Sequence, residues 1–272
     1  MPMVNAKDGT EIHVKDWGQG RPVVLIHGWP LNADSWEYQA VKLAEAGFRV
    51  ISYDRRGFGR SGQPWEGYDY DVLSDDLAAV IETLGLTDAA IVGFSMGGGE
   101  VARYFGRHGG KGVSKAVFIS SVAPGMLKSD DNPEGVTRDV FEGIREGLRQ
   151  DRPAFLAEFF KDFYGQDTET GGVSDAILEW SRDMAMIASP RATLECVNAF
   201  GLTDFTADAA QITVPTLVIH GTGDKTVPIA ATARRMAKLV PHATLIEYEG
   251  APHGLTATEP DRVVRDLLDF LG

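Results

Sequence analysis

The stretch IVGFSMGGGE, residues 91–100, places Ser95 among four glycines directly after a short apolar run. The run predicts a buried strand over 89–95, and the residues GEVARYFGRHG that follow have the spacing of a helix. Ser95 therefore stands in G-x-S-x-G spacing at a sharp strand-to-helix turn, where side chains at positions 93 and 97 would collide with the backbone. Such a turn raises the Ser95 hydroxyl above the carboxyl edge of a sheet, beside the N–H groups that begin the helix.

Other apolar, β-branched runs recur along the chain and alternate with helical patterns. They occupy residues 22–28, 48–54, 115–121, 216–221 and 244–250. Strand followed by helix, repeated in this way, predicts an α/β fold, a mostly parallel sheet with helices on both faces. The segment EIHVKDWG at 11–18 alternates apolar and polar residues instead, and it predicts an antiparallel edge of the sheet.

The alternation of strands and helices stops between residues 125 and 210, where the pattern is helical throughout. Ser189 before Pro190 is typical of an N-cap followed by proline in the first helical turn. We therefore expect a helical cap over 125–210, inserted into an α/β core formed by 1–124 and 211–272. Four phenylalanines at helical spacing belong to this cap, and they either form its core or line an apolar pocket: Phe155, Phe159, Phe160 and Phe163.

The charge balance restricts the partners of this protein. The formal net charge is −13, from 39 acidic and 26 basic residues, which argues against nucleic acid or an anionic membrane and favours small neutral or apolar ligands. The single cysteine, Cys196, excludes an intrachain disulfide and fits a reducing compartment. The sequence contains no signal-peptide pattern and no apolar run of ~18 residues, so we expect a cytoplasmic protein. The sequence also allows a homo-oligomer.

A serine hydroxyl becomes a nucleophile only when a base takes its proton. Among the six histidines, His253 lies in the loop EGAPHGLTATEP, just past the last predicted strand, where it can reach over Ser95. The other five histidines are interpreted as structural, edge or surface residues: His13, His27, His108, His220 and His242.

The acid that orients the imidazole is predicted to be Asp224, in the turn TLVIHGTGDKTVP after the penultimate strand. The loop SVAPG after the strand at 115–121 offers no carboxylate as an alternative. The chain order Ser95, Asp224, His253 is that of hydrolases built on a nucleophile elbow. The backbone N–H groups of Met96 and Trp29 are the expected oxyanion donors, since Pro30 in HGWP has no N–H.

The segment GFGRSG, residues 57–62, fits the G-x-G-x-x-G pattern of dinucleotide-binding proteins. That pattern should open a helix in the first strand–helix unit, whereas here Gln63 and Pro64 lead into a loop and the next helix is predicted only near Ser74. The chain also lacks the H-E-x-x-H and C-x-x-C patterns of metal sites. We therefore expect no cofactor and no metal.

The segments HGWP, YDRRGFGRSGQP, GFSMGGGE, VIHGTGD and APHG together resemble the α/β-hydrolase superfamily along nearly the whole chain. Within it, the sequence is similar to the group of bacterial aryl esterases and cofactor-free haloperoxidases, also called perhydrolases. The resemblance implies hydrolysis of small esters through an acyl-serine intermediate. It also implies reversible formation of peracids from carboxylic acids and hydrogen peroxide, with free peracid oxidising halide without metal or haem.

The resemblance assigns roles that agree with the residue-based prediction: Ser95 as nucleophile, Asp224 as acid, His253 as base, and Trp29 and Met96 as oxyanion donors. A serine at this position excludes the alkyl-enzyme chemistry of relatives that carry aspartate there. The form HGWP is typical of members named haloperoxidases, which favours perhydrolysis as a side activity.

The substrate pocket is the least transferable part of the family. By position, Trp29, Phe159, Phe163 and Val227 are expected to line it. The expected partners are a small ester or carboxylic acid together with water or hydrogen peroxide. Two alternatives stay open from the sequence: the same residues could cleave a lactone, a lactam or a carbon–carbon bond, or the fold could serve as a non-catalytic ligand-binding receptor.

Overall fold

The predicted strands all belong to one eight-stranded sheet in the structure, a computed structural model that describes residues 3–272. The first two residues of the expected core segment 1–124 lie outside the described residues. In chain order the strands are β1 (Met3–Asn5), β2 (Glu11–Gly18), β3 (Pro22–Ile26), β4 (Arg49–Tyr53), β5 (Ala89–Phe94), β6 (Val113–Ile119), β7 (Thr216–Gly221) and β8 (Ala243–Tyr248).

The strands lie in the spatial order β1-β2-β4-β3-β5-β6-β7-β8. Strands β3 to β8 are parallel to one another, while β2 pairs antiparallel with both β1 and β4, as the alternation at 11–18 predicts. Every residue of β5 is buried, because helices cover both faces of the central strands. The predicted α/β class is thus confirmed.

Helices connect the parallel strands and fill the long insertion. In chain order they are α1 (Glu37–Glu45), α2 (Tyr70–Thr83), α3 (Met96–His108), α4 (Arg138–Tyr164), α5 (Asp175–Ile187), α6 (Pro190–Leu202), α7 (Thr206–Ala209), α8 (Ala233–Leu239), α9 (Leu255–Thr258) and α10 (Pro260–Leu271), with a 3-10 turn at Ala33–Trp36 before α1. In the described part of the chain, no helix has both the length and the apolar character needed to cross a membrane.

Helices α4 to α7 all fall between β6 and β7. Helix α4 is broken at Asp151, where φ is −154° and ψ is 84°. Pro153, two residues later, has no N–H for the helical hydrogen bond to the carbonyl four residues before it, which favours a new helix start at this point. The Asp151 carboxylate caps the second half by accepting the N–H of Ala154 at 3.0 Å. Helix α6 begins at Pro190 with Ser189 as its N-cap, as predicted. We retain 125–210 as the proposed boundaries of the cap.

The glycine-rich segment 57–62 forms a loop and not a helix start. A Cβ added at Gly59 would collide with the Asp54 carboxylate, so the loop wraps tightly around that buried side chain. Asp54 accepts the N–H groups of Ala33 at 2.9 Å and of Arg60 at 2.7 Å. The predicted helix start near Ser74 was wrong: α2 begins four residues earlier, because Asp69 caps it.

Candidate active site

Ser95 occupies the turn between β5 and α3, with φ at +54° and ψ at −119°. Backbone of this kind is strained for a residue with a side chain and persists only where its surroundings hold it. The Ser95 N–H donates to Ile119 O at 2.8 Å, which fixes the turn against β6. A Cβ added at Gly93 would lie 2.5 Å from Gly97 O, and one added at Gly97 would lie 2.5 Å from Ile26 O. Backbone crowding thus accounts for both glycines of the motif.

The side chains of Ser95, His253 and Asp224 form one hydrogen-bonded row. His253 Nε2 lies 2.9 Å from Ser95 Oγ, and His253 Nδ1 lies 2.7 Å from Asp224 Oδ2. The imidazole and the carboxylate are fully buried, whereas Ser95 keeps a small exposed surface. The three residues follow β5, β7 and β8, whose carboxyl ends meet at one edge of the sheet. The structure therefore brings together the three residues singled out in the sequence.

The Asp224 carboxylate is surrounded by donors. Its Oδ1 accepts the N–H groups of Thr226 at 2.9 Å and Val227 at 2.7 Å. Burial by itself would raise the pKa of Asp224, but the facing His253 and the hydrogen bonds from His220 and His253 outweigh burial and hold that pKa well below its ordinary value. The carboxylate is thus kept ionised beside the imidazole.

His220 is a contact that the sequence did not predict. Its Nε2 lies 3.1 Å from Asp224 Oδ2 and 2.9 Å from Val227 O. Both neighbours are acceptors, so Nε2 carries the hydrogen; Nδ1 is buried and has no hydrogen-bond partner within residues 3–272. The sequence suggested only a structural histidine at the end of β7. Its one local signal was its place four residues before Asp224.

The two backbone N–H groups expected to be oxyanion donors are those of Trp29 and Met96. Within the described chain, neither Trp29 N–H nor Met96 N–H donates to a protein acceptor. Met96 is the first residue of α3, so its N–H lies at the positive end of that helix. The loop that carries Trp29 is anchored by the indole, whose Nε1 donates to Thr193 O of α6 at 3.1 Å. The loop 27–30 is thus tied to helix α6.

A buried ion pair joins the loop 27–30 to helix α3. Arg55 Nη2 donates to His27 O at 2.7 Å, and Arg55 Nε donates to Glu100 Oε1 at 2.5 Å. Tyr53 completes the group by donating its hydroxyl to Glu100 Oε2 at 2.6 Å. His27 accepts the Arg55 N–H through Nε2 at 2.9 Å. This network ties the loop 27–30 to helix α3 through buried, charged hydrogen bonds.

An apolar cavity of about 50 Å³ opens onto Ser95. Trp29, Phe159 and Val227 line it, as their positions in the sequence suggest, and Met126 also contributes to its wall. Within residues 3–272 no group of three or more His, Cys, Asp or Glu side chains could hold a metal ion.

Phe163 lies elsewhere, in contrast to the expectation that it lines the pocket. Its ring meets the His253 imidazole edge to face at 4.7 Å and packs on Phe94 at 5.9 Å. Its carbonyl accepts the N–H of Gly254 at 2.9 Å. The last turn of α4 thus directs Phe163 toward the histidine loop, while Phe159, one turn earlier, faces the cavity.

Comparison with known proteins identifies the family to which this chain belongs. A family model described as the alpha/beta hydrolase fold matches residues 21–260, and the chain belongs to this family. It is 45% identical to the non-heme chloroperoxidase CPO-A1 of Kitasatospora aureofaciens, over 100% of this chain and 99% of that protein. It is 42% identical to the bifunctional esterase/perhydrolase DCH of Acinetobacter calcoaceticus, with the same coverage. The crystal structure of a bromoperoxidase from Bacillus anthracis superposes with a TM-score of 0.95 at 46% identity, covering 99% of both chains.

Proposed function

We propose that this protein is a serine esterase that cleaves small carboxylic esters through an acyl-serine intermediate, with peracid formation as a second activity. The observation that carries the proposal is the row Ser95 Oγ, His253 Nε2 and Nδ1, Asp224 Oδ2, which opens onto an apolar cavity. Relatives named chloroperoxidase and esterase/perhydrolase, similar along their whole length, support the same chemistry.

In the first step His253 Nε2 takes the Ser95 proton while Oγ attacks the ester carbonyl. The negative charge that develops on the carbonyl oxygen is bound by the N–H groups of Trp29 and Met96. Asp224, held ionised by its donors, stabilises the imidazolium that forms. The imidazolium then protonates the leaving alcohol, and the acyl group remains on Ser95.

In the second step water or hydrogen peroxide attacks the acyl-enzyme, with His253 again removing the proton. The bond between Ser95 Oγ and the acyl carbon breaks, and the proton held by His253 returns to Oγ. Water yields the carboxylic acid, and peroxide yields the peracid. The same steps in reverse order load the serine from a free carboxylic acid.

The cavity restricts the acyl group. A volume of about 50 Å³ holds only a few water-sized groups, so the cavity favours short acyl chains over long ones. Its wall is mainly aromatic and aliphatic, which disfavours charged acyl groups. We therefore propose acetyl and similarly short esters as substrates, with the alcohol portion directed outward.

The experiment that tests this proposal is burst kinetics with an activated aryl acetate. The wild-type protein should release a burst of phenol followed by repeated turnovers, and mass spectrometry of the quenched reaction should find acetyl on the peptide that contains Ser95. A receptor would give at most one slow turnover. Ser95→Ala should lower kcat by at least about 10³-fold, while Ser114→Ala, which removes a hydroxyl at the start of β6, should have no effect. Full activity of Ser95→Ala would refute the proposal.

A further inference from the structure

Met126 shares the cavity wall with Ser95. It lies in the loop that follows β6, and this loop is bound to the nucleophile turn, since Val122 N–H donates to Ser95 O at 3.3 Å. The Met126 carbonyl accepts the N–H of Val136 at 2.7 Å, which anchors the loop on its far side. The thioether is therefore held next to the place where the second step of the proposed reaction releases its product.

We propose that Met126 is the site at which the peracid formed on Ser95 oxidises its own enzyme. This inference rests on the proposed function. A lone pair of the thioether sulfur attacks the terminal peroxy oxygen of the peracid, the O–O bond breaks, and a sulfur–oxygen bond forms. The peracid is reduced to the carboxylic acid, which keeps the proton, and Met126 is oxidised to the sulfoxide.

The other methionines provide the contrast that makes the inference specific. Met126 is 3% exposed, so oxidant in bulk solvent reaches it poorly, whereas Met186 is 38% exposed. Met96 and Met236 are fully buried, and Met184 lines a separate groove. Oxidant made inside the cavity meets Met126 first, whereas oxidant added from outside first meets the exposed methionines, Met186 and the 41% exposed Met3. The order of oxidation therefore reports where the peracid is formed.

Oxidation of Met126 would also change the site. The sulfoxide is polar and bulkier than the thioether, and the cavity that receives it is small and apolar. The acyl group would then compete with the new oxygen for space. Perhydrolysis should accordingly shorten the life of the enzyme, whereas ester hydrolysis in the absence of peroxide should not.

The test compares four incubations by peptide mass spectrometry: wild type with acetate and hydrogen peroxide, wild type with peroxide alone, wild type with added peracetic acid, and Ser95→Ala with acetate and peroxide. In the first, Met126 sulfoxide should form about tenfold faster than Met186 sulfoxide. In the other three the order should reverse, or neither residue should react. Equal rates at the two residues, or the same Met126 oxidation in Ser95→Ala, would overturn the inference.

A direct measurement of peracid separates the two proposals. Absence of peracid overturns the perhydrolase proposal and this inference together, while peracid formation with Met126 still reduced overturns this inference alone. As a functional check, Met126→Leu, which keeps the side-chain volume nearly constant, should lose activity severalfold more slowly during perhydrolysis, relative to its own initial rate. Met186→Leu should decay like the wild type. An unchanged decay of Met126→Leu would argue against the inference.

Discussion

His220 and Asp224 lie four residues apart, and His220 Nε2 is 3.1 Å from the same Asp224 oxygen that faces His253. One carboxylate oxygen thus meets two imidazoles, of which only that of His253 reaches Ser95. Because a hydrogen bond to a charged group is worth roughly 1.5–3 kcal/mol, we expect His220→Leu to lower kcat by about tenfold with little change in KM.

Restoring the donor should restore the rate. His220→Gln carries an N–H that can reach the same carboxylate, and it should recover part of the activity lost in the leucine variant. The matched control is His242→Leu, since His242 Nε2 also faces a backbone carbonyl, Val214 O at 2.9 Å, but lies on the surface. Wild-type kcat in a folded His220→Leu protein would contradict a positioning role.

The glycines of the turn at Ser95 should be intolerant of a single methyl group. Gly97→Ala would place a Cβ 2.5 Å from Ile26 O, and backbone cannot move aside as a flexible side chain would. We expect esterase activity to fall by at least about tenfold and the free energy of unfolding to fall by ~1–3 kcal/mol. In Gly143→Ala, where nothing lies within 4 Å of the added Cβ in α4, stability should instead rise by roughly 0.5–1 kcal/mol. Urea denaturation and an aryl acetate assay measure both effects.

The buried pair Arg55 and Glu100 should be sensitive to loss of one charge. Glu100→Gln leaves the Arg55 guanidinium buried without its counter-charge, which should lower the free energy of unfolding by ~3–5 kcal/mol. The exposed pair Lys111 and Glu82, with 3.1 Å between Nζ and Oε1, is the control, because Glu82→Gln should cost less than about 1 kcal/mol. Similar losses of unfolding free energy in the two variants would show that burial does not make the Arg55–Glu100 pair more important for stability than an exposed pair.

His27 should make the fold less stable in mild acid. Burial, followed by the nearby Arg55, lowers the pKa of His27 well below its ordinary value of 6.5. Below that pH the unfolded chain binds a proton that the folded protein does not, so the stability contributed by His27 is complete above pH 6.5 and is lost as the pH falls. Relative to His27→Gln, the wild-type free energy of unfolding should decline by about 1.4 kcal/mol per pH unit below that point. A constant difference between the two proteins down to about pH 5 would be inconsistent with this origin.

Phe159 should affect the acyl-chain preference, whereas Phe163 should affect kcat. Phe159→Ala removes a ring from the cavity wall, so the preferred acyl chain should lengthen from acetyl toward butyryl or longer. Phe163→Leu removes the ring that packs on His253, so kcat should fall severalfold while the chain-length preference stays that of the wild type. A series of aryl esters of increasing acyl length separates the two effects. A shift in preference caused by Phe163→Leu would contradict its placement outside the cavity.

Much of this fold is readable from local patterns. Strand positions follow from short apolar runs, the turn at Ser95 follows from glycines that no other residue could replace, and the chain order of Ser95, Asp224 and His253 is visible without coordinates. The strand runs and the turn are local features, because sterics and periodicity act over a few residues. The start of α2 was placed four residues too late because the prediction followed the apolar pattern, whereas the capping residue Asp69 sets where the helix begins.

Other features depend on how distant segments meet. Whether His220 touches Asp224, whether Phe163 faces the cavity or the imidazole, and whether Arg55 joins His27 to Glu100 are all set by side-chain directions across separate elements. Residue type and spacing show which groups are available for chemistry, because both can be read from a single continuous segment of sequence. Distances between those groups arise only when the sheet, helix α3 and the helical insertion pack together.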